Sequence, residues 1–126
     1  MSESIVIVGA ARTPMGGFQG DFSSLSAHDL GGAAIKAAID RAGIKPELVT
    51  EVLLGNCLMA GQGQAPARQA AFKGGLPISA GAVTLSKMCG SGMKGFSREC
   101  SVGLPRGERQ GWAGRWPAHR GDRPAA

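Results

Sequence analysis

Short apolar runs alternate with stretches of helical periodicity over the first 95 residues. Short, mainly apolar runs at residues 5–8, 52–54 and 82–85 each adjoin a glycine and predict three short strands. The first run is continuously apolar, which is expected of a strand covered on both faces. Apolar positions spaced three and four residues apart predict a helix over residues 30–42. Two further helices are predicted, over residues 66–73 and from Gly92 onward. This order predicts an α/β fold with a largely parallel sheet and helices on its faces.

The first helix carries recognisable start and stop signals. Ser26 is followed three residues later by Asp29, the spacing of a capping box, in which the two residues satisfy free N–H groups of the first turn. Gly43 directly after the periodic segment supplies a stop signal, because glycine readily adopts the left-handed conformation of a helix end. Residues 10–24 lack periodicity and predict a long connecting loop.

Cys89 lies where the third predicted strand gives way to the third predicted helix. Free N–H groups and the positive end of the helix dipole gather at such a junction, and both favour a thiolate over a thiol. Gly90 and Gly92 carry no side chains, so an acyl donor could approach the sulfur closely. The alternative is that Cys89 is a small buried core residue, as free cysteines often are. The surrounding sequence favours the nucleophile, and ligands of parallel sheets bind at this end of the strands.

The remaining candidate residues are predicted to have structural roles and not to bind ligands or take part in catalysis. The Gly-rich segment 61–66 precedes a helix, but it lacks the Gly-Lys-Ser/Thr of a phosphate-binding loop and the third glycine of a dinucleotide fingerprint. His28 is predicted to be an exposed residue of the first helical turn and not a general base. Arg12 and Arg68 are predicted to make structural ion pairs or contacts to a neighbouring subunit, not to bind substrate.

Composition excludes several classes of protein. The three cysteines and two histidines have no metal-ligand spacing and suggest no disulfide framework, so no metal site is expected; they are Cys57, Cys89, Cys100, His28 and His119. We expect no bound cofactor. The first four residues carry no positive charge, and the apolar run after them is too short for a signal sequence or a membrane span. The expected location is therefore the cytoplasm, with no membrane partner.

The net charge of +5 is unevenly distributed and divides the chain in two. Residues 1–95 contain eight basic and six acidic side chains, whereas residues 96–126 contain six arginines against three acids and no lysine. The second part is also rich in Gly and Pro, which is typical of an irregular, disordered tail. We predict a folded domain at residues 1–95 and a tail at residues 96–126.

Five segments of the first part, in order and at natural spacing, resemble the amino-terminal domain of the thiolase family, most of all its acetyl-CoA acetyltransferase type. They are IVIVGAARTP from residue 5, DLG from 29, EVLLGN from 51, AGQGQAPARQAA from 60 and KMCGSGMK from 87. The resemblance implies part of a thiolase-like layered α/β fold. It also implies coenzyme A thioesters as substrates and a homo-oligomer in the full-length family.

The resemblance gives Cys89 the role of acyl acceptor. In the family this cysteine attacks an acyl-CoA thioester, and a second acyl-CoA carbanion then attacks the acyl-cysteine; the reverse reaction cleaves a 3-oxoacyl-CoA. Exchanging one thioester for another is nearly isoenergetic, which suits a thiol nucleophile. N–H groups at the helix start, including that of Cys89, would stabilise the tetrahedral oxyanion.

The chain also departs from the family. The family's activating histidine, second cysteine and water-positioning asparagine have no counterpart here, because Cys100 and His119 do not stand in matching motifs. We therefore expect little turnover, and we interpret the tail as the product of a truncated or frameshifted gene. Two alternatives are a noncatalytic α/β module that pairs with a full-length thiolase, and nucleic-acid binding through the tail arginines with Trp112 and Trp116. Nucleic-acid binding is disfavoured, since charged Gly/Pro-rich tails are usually only solvated.

Overall fold

Two parallel strands and three helices make up the described part of the protein. The computed structural model describes residues 6–102, with side chains to Ser97. Along the chain come α1 (Ala27–Ala42), a short 3-10 helix (Pro46–Leu48), β1 (Glu51–Gly55), α2 (Pro66–Lys73), β2 (Gly81–Leu85) and α3 (Ser91–Val102). Helix α3 crosses the predicted domain boundary at Gly95, and the rest of the predicted tail lies outside the described residues.

Strands β1 and β2 pair in parallel, as the apolar runs predict. The register joins Glu51 to Gly81 at one end and Gly55 to Leu85 at the other. One further hydrogen bond, from the Asn56 N–H to the Leu85 carbonyl at 2.8 Å, extends the pairing just beyond β1. The carboxyl ends of both strands therefore lie at one edge of the sheet. Residues 56–65 follow β1 at this edge, and the Cys89 segment follows β2.

The predicted first strand is wrong for the residues that the structure describes. Val6, Ile7 and Val8 belong to no strand and are 69%, 72% and 61% exposed. The chain that follows them lies along the carboxyl-terminal half of α1, where the Arg41 guanidinium donates to the Ala10 carbonyl at 2.7 Å. A strand needs a neighbour that satisfies its backbone groups, and this apolar run has none among the described residues.

Helix α1 begins and ends where its capping signals place it. The Ser26 N–H donates to the Asp29 carboxylate at 2.9 Å, and the Asp29 N–H donates to the Ser26 hydroxyl oxygen at 3.3 Å, which completes the capping box. At the other end Gly43 adopts a φ of 65° and its N–H donates to the Ile39 and Asp40 carbonyls. Both ends were predicted from the sequence and are confirmed.

Small residues let α1 and α2 pack closely together. A Cβ placed on Gly32 would lie 2.6 Å from the Lys73 Cβ and 3.2 Å from the Ala70 carbonyl oxygen, so a larger residue would separate the helices. Lys73 at the end of α2 also forms an ion pair with Asp29 in the first turn of α1. Hydrogen bonds from Lys73 and Ser26 hold the pKa of the Asp29 carboxyl well below its usual range.

The hydrophobic core is small and lies between this helix pair and the sheet. Val52, Ala71 and Leu76 are buried at its centre. Partly buried apolar side chains surround them, namely Ile35, Ile39, Val49 and Ala82. The core thus fixes α1, α2 and the sheet relative to one another and supports the edge at which the strands end.

Candidate active site around Cys89

Cys89 lies in a tight turn between β2 and α3. The turn follows Leu85, the last residue of β2, and α3 begins at Ser91, two residues after the cysteine. The Cys89 side chain is exposed and forms no disulfide. The expected position at a strand-to-helix junction is therefore confirmed, whereas the catalytic role of Cys89 stays a prediction.

Two overlapping backbone hydrogen bonds close this turn. The Gly90 N–H donates to the Lys87 carbonyl at 3.0 Å, and the Ser91 N–H donates to the Met88 carbonyl at 3.1 Å. Met88 has a φ of 47°, a left-handed conformation that is uncommon for residues other than glycine. Non-glycine residues in this conformation persist where surrounding contacts hold them, and they cluster at functional sites.

The Ser91 side chain supplies such contacts to the backbone of the turn. Its hydroxyl accepts a hydrogen bond from the Lys87 N–H at 2.9 Å and donates one to the Met88 carbonyl at 2.6 Å. The residue is only 5% exposed. No role was predicted for Ser91, although a serine at a helix start is a recognised signal for hydrogen bonds from the side chain to nearby backbone.

The start of α3 packs directly onto the end of β1. A Cβ on Gly55 would lie 2.4 Å from the Ser91 carbonyl carbon and 2.5 Å from the Gly92 nitrogen, so any side chain at position 55 would collide with backbone. A Cβ on Gly95 would likewise lie 3.2 Å from the Leu53 carbonyl oxygen. The glycines of β1 and α3 thus allow the contact that positions the Cys89 turn.

The outer side of the turn is open. A Cβ built on Gly92 would have no atom within 4 Å, while one on Gly90 would lie 3.4 Å from the Lys87 carbonyl oxygen, an ordinary contact. This free space at position 92 agrees with the expectation that a glycine there leaves room for an approaching group.

His28 is not the exposed residue that the sequence predicted. It is half-buried on the face of α1 that meets the end of β1, and it lines a cavity of about 160 Å³ together with Gly31, Leu54, Asn56 and Pro66. Its Nδ1 atom is buried and has no hydrogen-bond partner among the described residues. The prediction failed because a capping signal locates a helix start but does not say which face of the helix packs inward.

No described histidine or carboxylate hydrogen-bonds to Cys89. Cys57, the other free thiol in the described range, is exposed in the loop that follows β1. Among the side chains that the structure describes, which end at Ser97, no cluster of three His, Cys, Asp or Glu could hold a metal ion. Nor does the described part of the chain contain a helix with the length and apolar character needed to cross a bilayer.

Hydrogen bonds from side chains on either side hold the Gly-rich segment before α2. Gln69 donates to the Gln64 carbonyl at 2.6 Å, and Asn56 donates to the Gln62 side-chain oxygen at 2.6 Å. Pro66 has no N–H group with which to bind an anion. The next N–H group, that of Ala67, donates to the Thr84 hydroxyl at 3.0 Å and is therefore occupied. The start of α2 is thus capped by β2, which agrees with the prediction against a phosphate-binding loop.

Arg68 has a structural role, although not in an ion pair. Its guanidinium donates to the Ala80 carbonyl at 2.5 Å and the Ile78 carbonyl at 3.3 Å, and it lies over the Phe72 ring at 5.5 Å. The residue therefore ties α2 to the segment that leads into β2. Arg12 is exposed and forms no ion pair with a described residue. Contacts of either arginine to a neighbouring subunit stay a prediction.

Comparisons with known proteins agree with this geometry. The family described as thiolase, N-terminal domain, matches residues 5–101. The chain is 56% identical over 90 residues to an acetyl-CoA acetyltransferase from Cupriavidus necator, covering 71% of this chain and 23% of that protein. It is 59% identical over 90 residues to a mitochondrial acetyl-CoA acetyltransferase from Xenopus tropicalis, with 71% and 21% covered.

Two solved structures share the fold. An acetyl-CoA acetyltransferase from Syntrophomonas wolfei superposes with a TM-score of 0.70 at 43% identity, covering 75% of this chain and 24% of that one. The Acat5 thiolase from Ascaris suum in complex with coenzyme A gives a TM-score of 0.73 at 39% identity, covering 77% and 26%.

The parallel α/β layer of this chain is thus the amino-terminal architecture of a thiolase-type fold. The chain belongs to the thiolase family, and the predicted resemblance to acetyl-CoA acetyltransferases is confirmed. It spans about a quarter of the length of the relatives that it matches.

Proposed function

We propose that Cys89 accepts an acyl group from a coenzyme A thioester, which is the first half of an acetyl-CoA acetyltransferase reaction. The observation that carries the proposal is an exposed thiol in a hydrogen-bonded turn between β2 and α3, in a chain of the thiolase family. The Cys89 thiol first loses its proton to solvent, and the resulting thiolate attacks the thioester carbonyl carbon and forms a new C–S bond. Cleavage of the original C–S bond releases coenzyme A as a thiolate, which takes up a proton from solvent.

Backbone geometry supports this step. The main-chain N–H groups at the start of a helix favour negative charge, both on the attacking sulfur and on the oxygen of the tetrahedral intermediate. The open side of the turn at Gly92 offers space from which a bulky thioester can approach. Within this proposal the substrate is an acyl-CoA, no resident cofactor takes part, and the protein acts in the cytoplasm as part of a homo-oligomer.

Complete turnover needs more than Cys89. Carbon–carbon bond formation requires a base that removes an α-proton from the second acyl-CoA, and no described histidine or second thiol contacts Cys89. We therefore propose that the 126-residue chain by itself forms the acyl-enzyme and stops there.

Intact-mass spectrometry after incubation with acetyl-CoA tests the proposal. We expect the mass to rise by one acetyl group in the wild-type chain and in Cys57→Ala, which removes the other exposed thiol of the described range. We expect no rise in Cys89→Ala. Equal acetylation of wild type and Cys89→Ala would show that the modification is nonspecific and would overturn the proposal.

One observation favours a second candidate function, that of a noncatalytic module that pairs with a full-length thiolase. Large apolar side chains remain exposed at both ends of the described part, among them Ile7 at 72% and Met93 at 78%. Surfaces of this kind mark partner contacts or poor solubility. Sedimentation of the chain mixed with a full-length acetyl-CoA acetyltransferase tests this function, and the absence of a joint species would refute it. Nucleic-acid binding by the tail stays a prediction, because the tail beyond Val102 lies outside the described residues.

A further inference from the structure

The hydroxyl of Ser91 bonds to both residues that precede Cys89. It accepts from the Lys87 N–H at 2.9 Å and donates to the Met88 carbonyl at 2.6 Å. We propose that Ser91 is a positioning residue for acyl transfer, which fixes the direction of the Cys89 N–H group. The proposal rests on the function proposed above and adds a residue to which that function assigns no part.

One planar peptide unit links the Met88 carbonyl to the Cys89 N–H group. The Met88 carbonyl and the Cys89 N–H belong to the same trans peptide, so they point in opposite directions and turn together. Two donors of Ser91, its hydroxyl at 2.6 Å and its N–H at 3.1 Å, converge on the Met88 carbonyl. The carbonyl is thereby held toward Ser91, and the Cys89 N–H is held on the opposite side.

Burial makes this arrangement rigid. Ser91 is 5% exposed, and its backbone is pressed against the end of β1, where a Cβ on Gly55 would lie 2.4 Å from the Ser91 carbonyl carbon. Water therefore has little access to replace the hydroxyl. The second hydrogen bond, from Lys87, fixes the chain on the other side of Met88, whose φ of 47° is uncommon for a side chain of this size.

The consequence for chemistry is specific to one step. Attack on a thioester builds negative charge on the carbonyl oxygen, and donors that are already aimed at that oxygen accelerate the step. Alkylation of the same sulfur by iodoacetamide builds no oxyanion. Loss of the Ser91 hydroxyl should therefore slow acyl transfer to Cys89 far more than it slows alkylation, whereas mere loosening of the turn should change both rates alike.

The experiment compares Ser91→Ala with the hydroxyl-retaining Ser91→Thr in the full chain. Phenyl thioacetate, a reactive thioester without the coenzyme, serves as acyl donor, and iodoacetamide measures thiol access, with Cys57 alkylation as internal reference. In Ser91→Ala we expect the rate of acyl transfer to fall about 10- to 100-fold, which is less than the loss on removing an entire oxyanion-hole donor. The rate of alkylation should stay within about twofold of wild type. Ser91→Thr should recover most of the acyl transfer.

Amide hydrogen exchange supplies a second measurement that does not depend on reactivity. The Lys87 N–H should exchange faster in Ser91→Ala and at the wild-type rate in Ser91→Thr, because its acceptor is the residue-91 hydroxyl. Parallel loss of both reaction rates, or an unchanged Lys87 exchange rate in Ser91→Ala, would overturn the positioning role. A wild-type chain that reacts with phenyl thioacetate but not with acetyl-CoA would contradict the proposed function and leave the role of Ser91 standing.

Discussion

The contact between Gly55 and the start of α3 yields the sharpest structural prediction. In Gly55→Ala the new Cβ would lie 2.4 Å from the Ser91 carbonyl carbon and 2.5 Å from the Gly92 nitrogen, whereas an ordinary contact begins near 3.4 Å. Both opposing atoms belong to the backbone, so no side chain can rotate away. The start of α3 must therefore move by about 1 Å, the difference between these distances.

The energetic outcome follows from two opposing terms. Replacing glycine by alanine in a strand gains about 0.5–1 kcal/mol by restricting the unfolded chain. Forcing an extra methyl group into a closely packed contact costs about 1–3 kcal/mol, and rigid backbone on the other side places this case at the upper end. We expect Gly55→Ala to lower the free energy of unfolding by about 2 kcal/mol.

Gly92→Ala is the matched control, since its new methyl group would meet no atom within 4 Å. Alanine also favours a helix, so this variant should be unchanged or more stable by up to about 1 kcal/mol. Urea unfolding followed by circular dichroism measures both variants, and iodoacetamide labelling reports on Cys89. Equal urea midpoints for the two variants would refute the close approach of β1 and α3.

Two further predictions concern the links between elements. Asp29→Asn should weaken the contact between α1 and α2 at neutral pH. Because the folded-state pKa of Asp29 is lowered, the ionised carboxyl contributes fully to the free energy of unfolding above its ordinary pKa of about 3.9. This contribution is lost progressively as the pH falls below that value. The difference between the urea midpoints of wild type and Asp29→Asn should thus be complete at pH 6 and smaller at pH 3, because at pH 3 the unfolded chain binds the proton and the folded chain does not; a constant difference would contradict this. Thr84→Val should lower the free energy of unfolding by about 1 kcal/mol, because the Ala67 N–H at the start of α2 loses its acceptor. Thr84→Ser keeps a hydroxyl and should lower it less. A Thr84→Val midpoint equal to that of wild type would argue against this cap.

Features set by neighbouring residues could be predicted from the sequence. The capping box of Ser26 and Asp29 and the glycine stop at position 43 determine α1 through hydrogen bonds within a few residues, so both ends of the helix were correct. The parallel pairing of β1 and β2 followed from the alternation of apolar runs with a helix between them. The strand-to-helix position of Cys89 followed from the same alternation.

Features set by distant partners could not be predicted. The run at residues 6–8 has the composition of a buried strand, but a strand also needs a paired neighbour, which a local pattern does not reveal. Whether His28 faced solvent depended on how α1 packs against β1. The role of Ser91 depends on the turn that brings its hydroxyl within hydrogen-bond distance of the Met88 carbonyl. Arg68 donates to carbonyl oxygens, whereas the sequence suggested an ion pair with a carboxylate.

Site-resolved acylation tests the central claim most directly. The full chain is incubated with acetyl-CoA, digested at low pH to preserve thioesters, and the peptides that contain Cys57 and Cys89 are compared by mass spectrometry. We predict an acetyl group on the Cys89 peptide that accumulates with time and stays absent from Cys57, which is also exposed. Acetylation of both thiols to the same extent, or of Cys57 alone, would contradict the claim that the turn between β2 and α3 makes Cys89 an acyl acceptor.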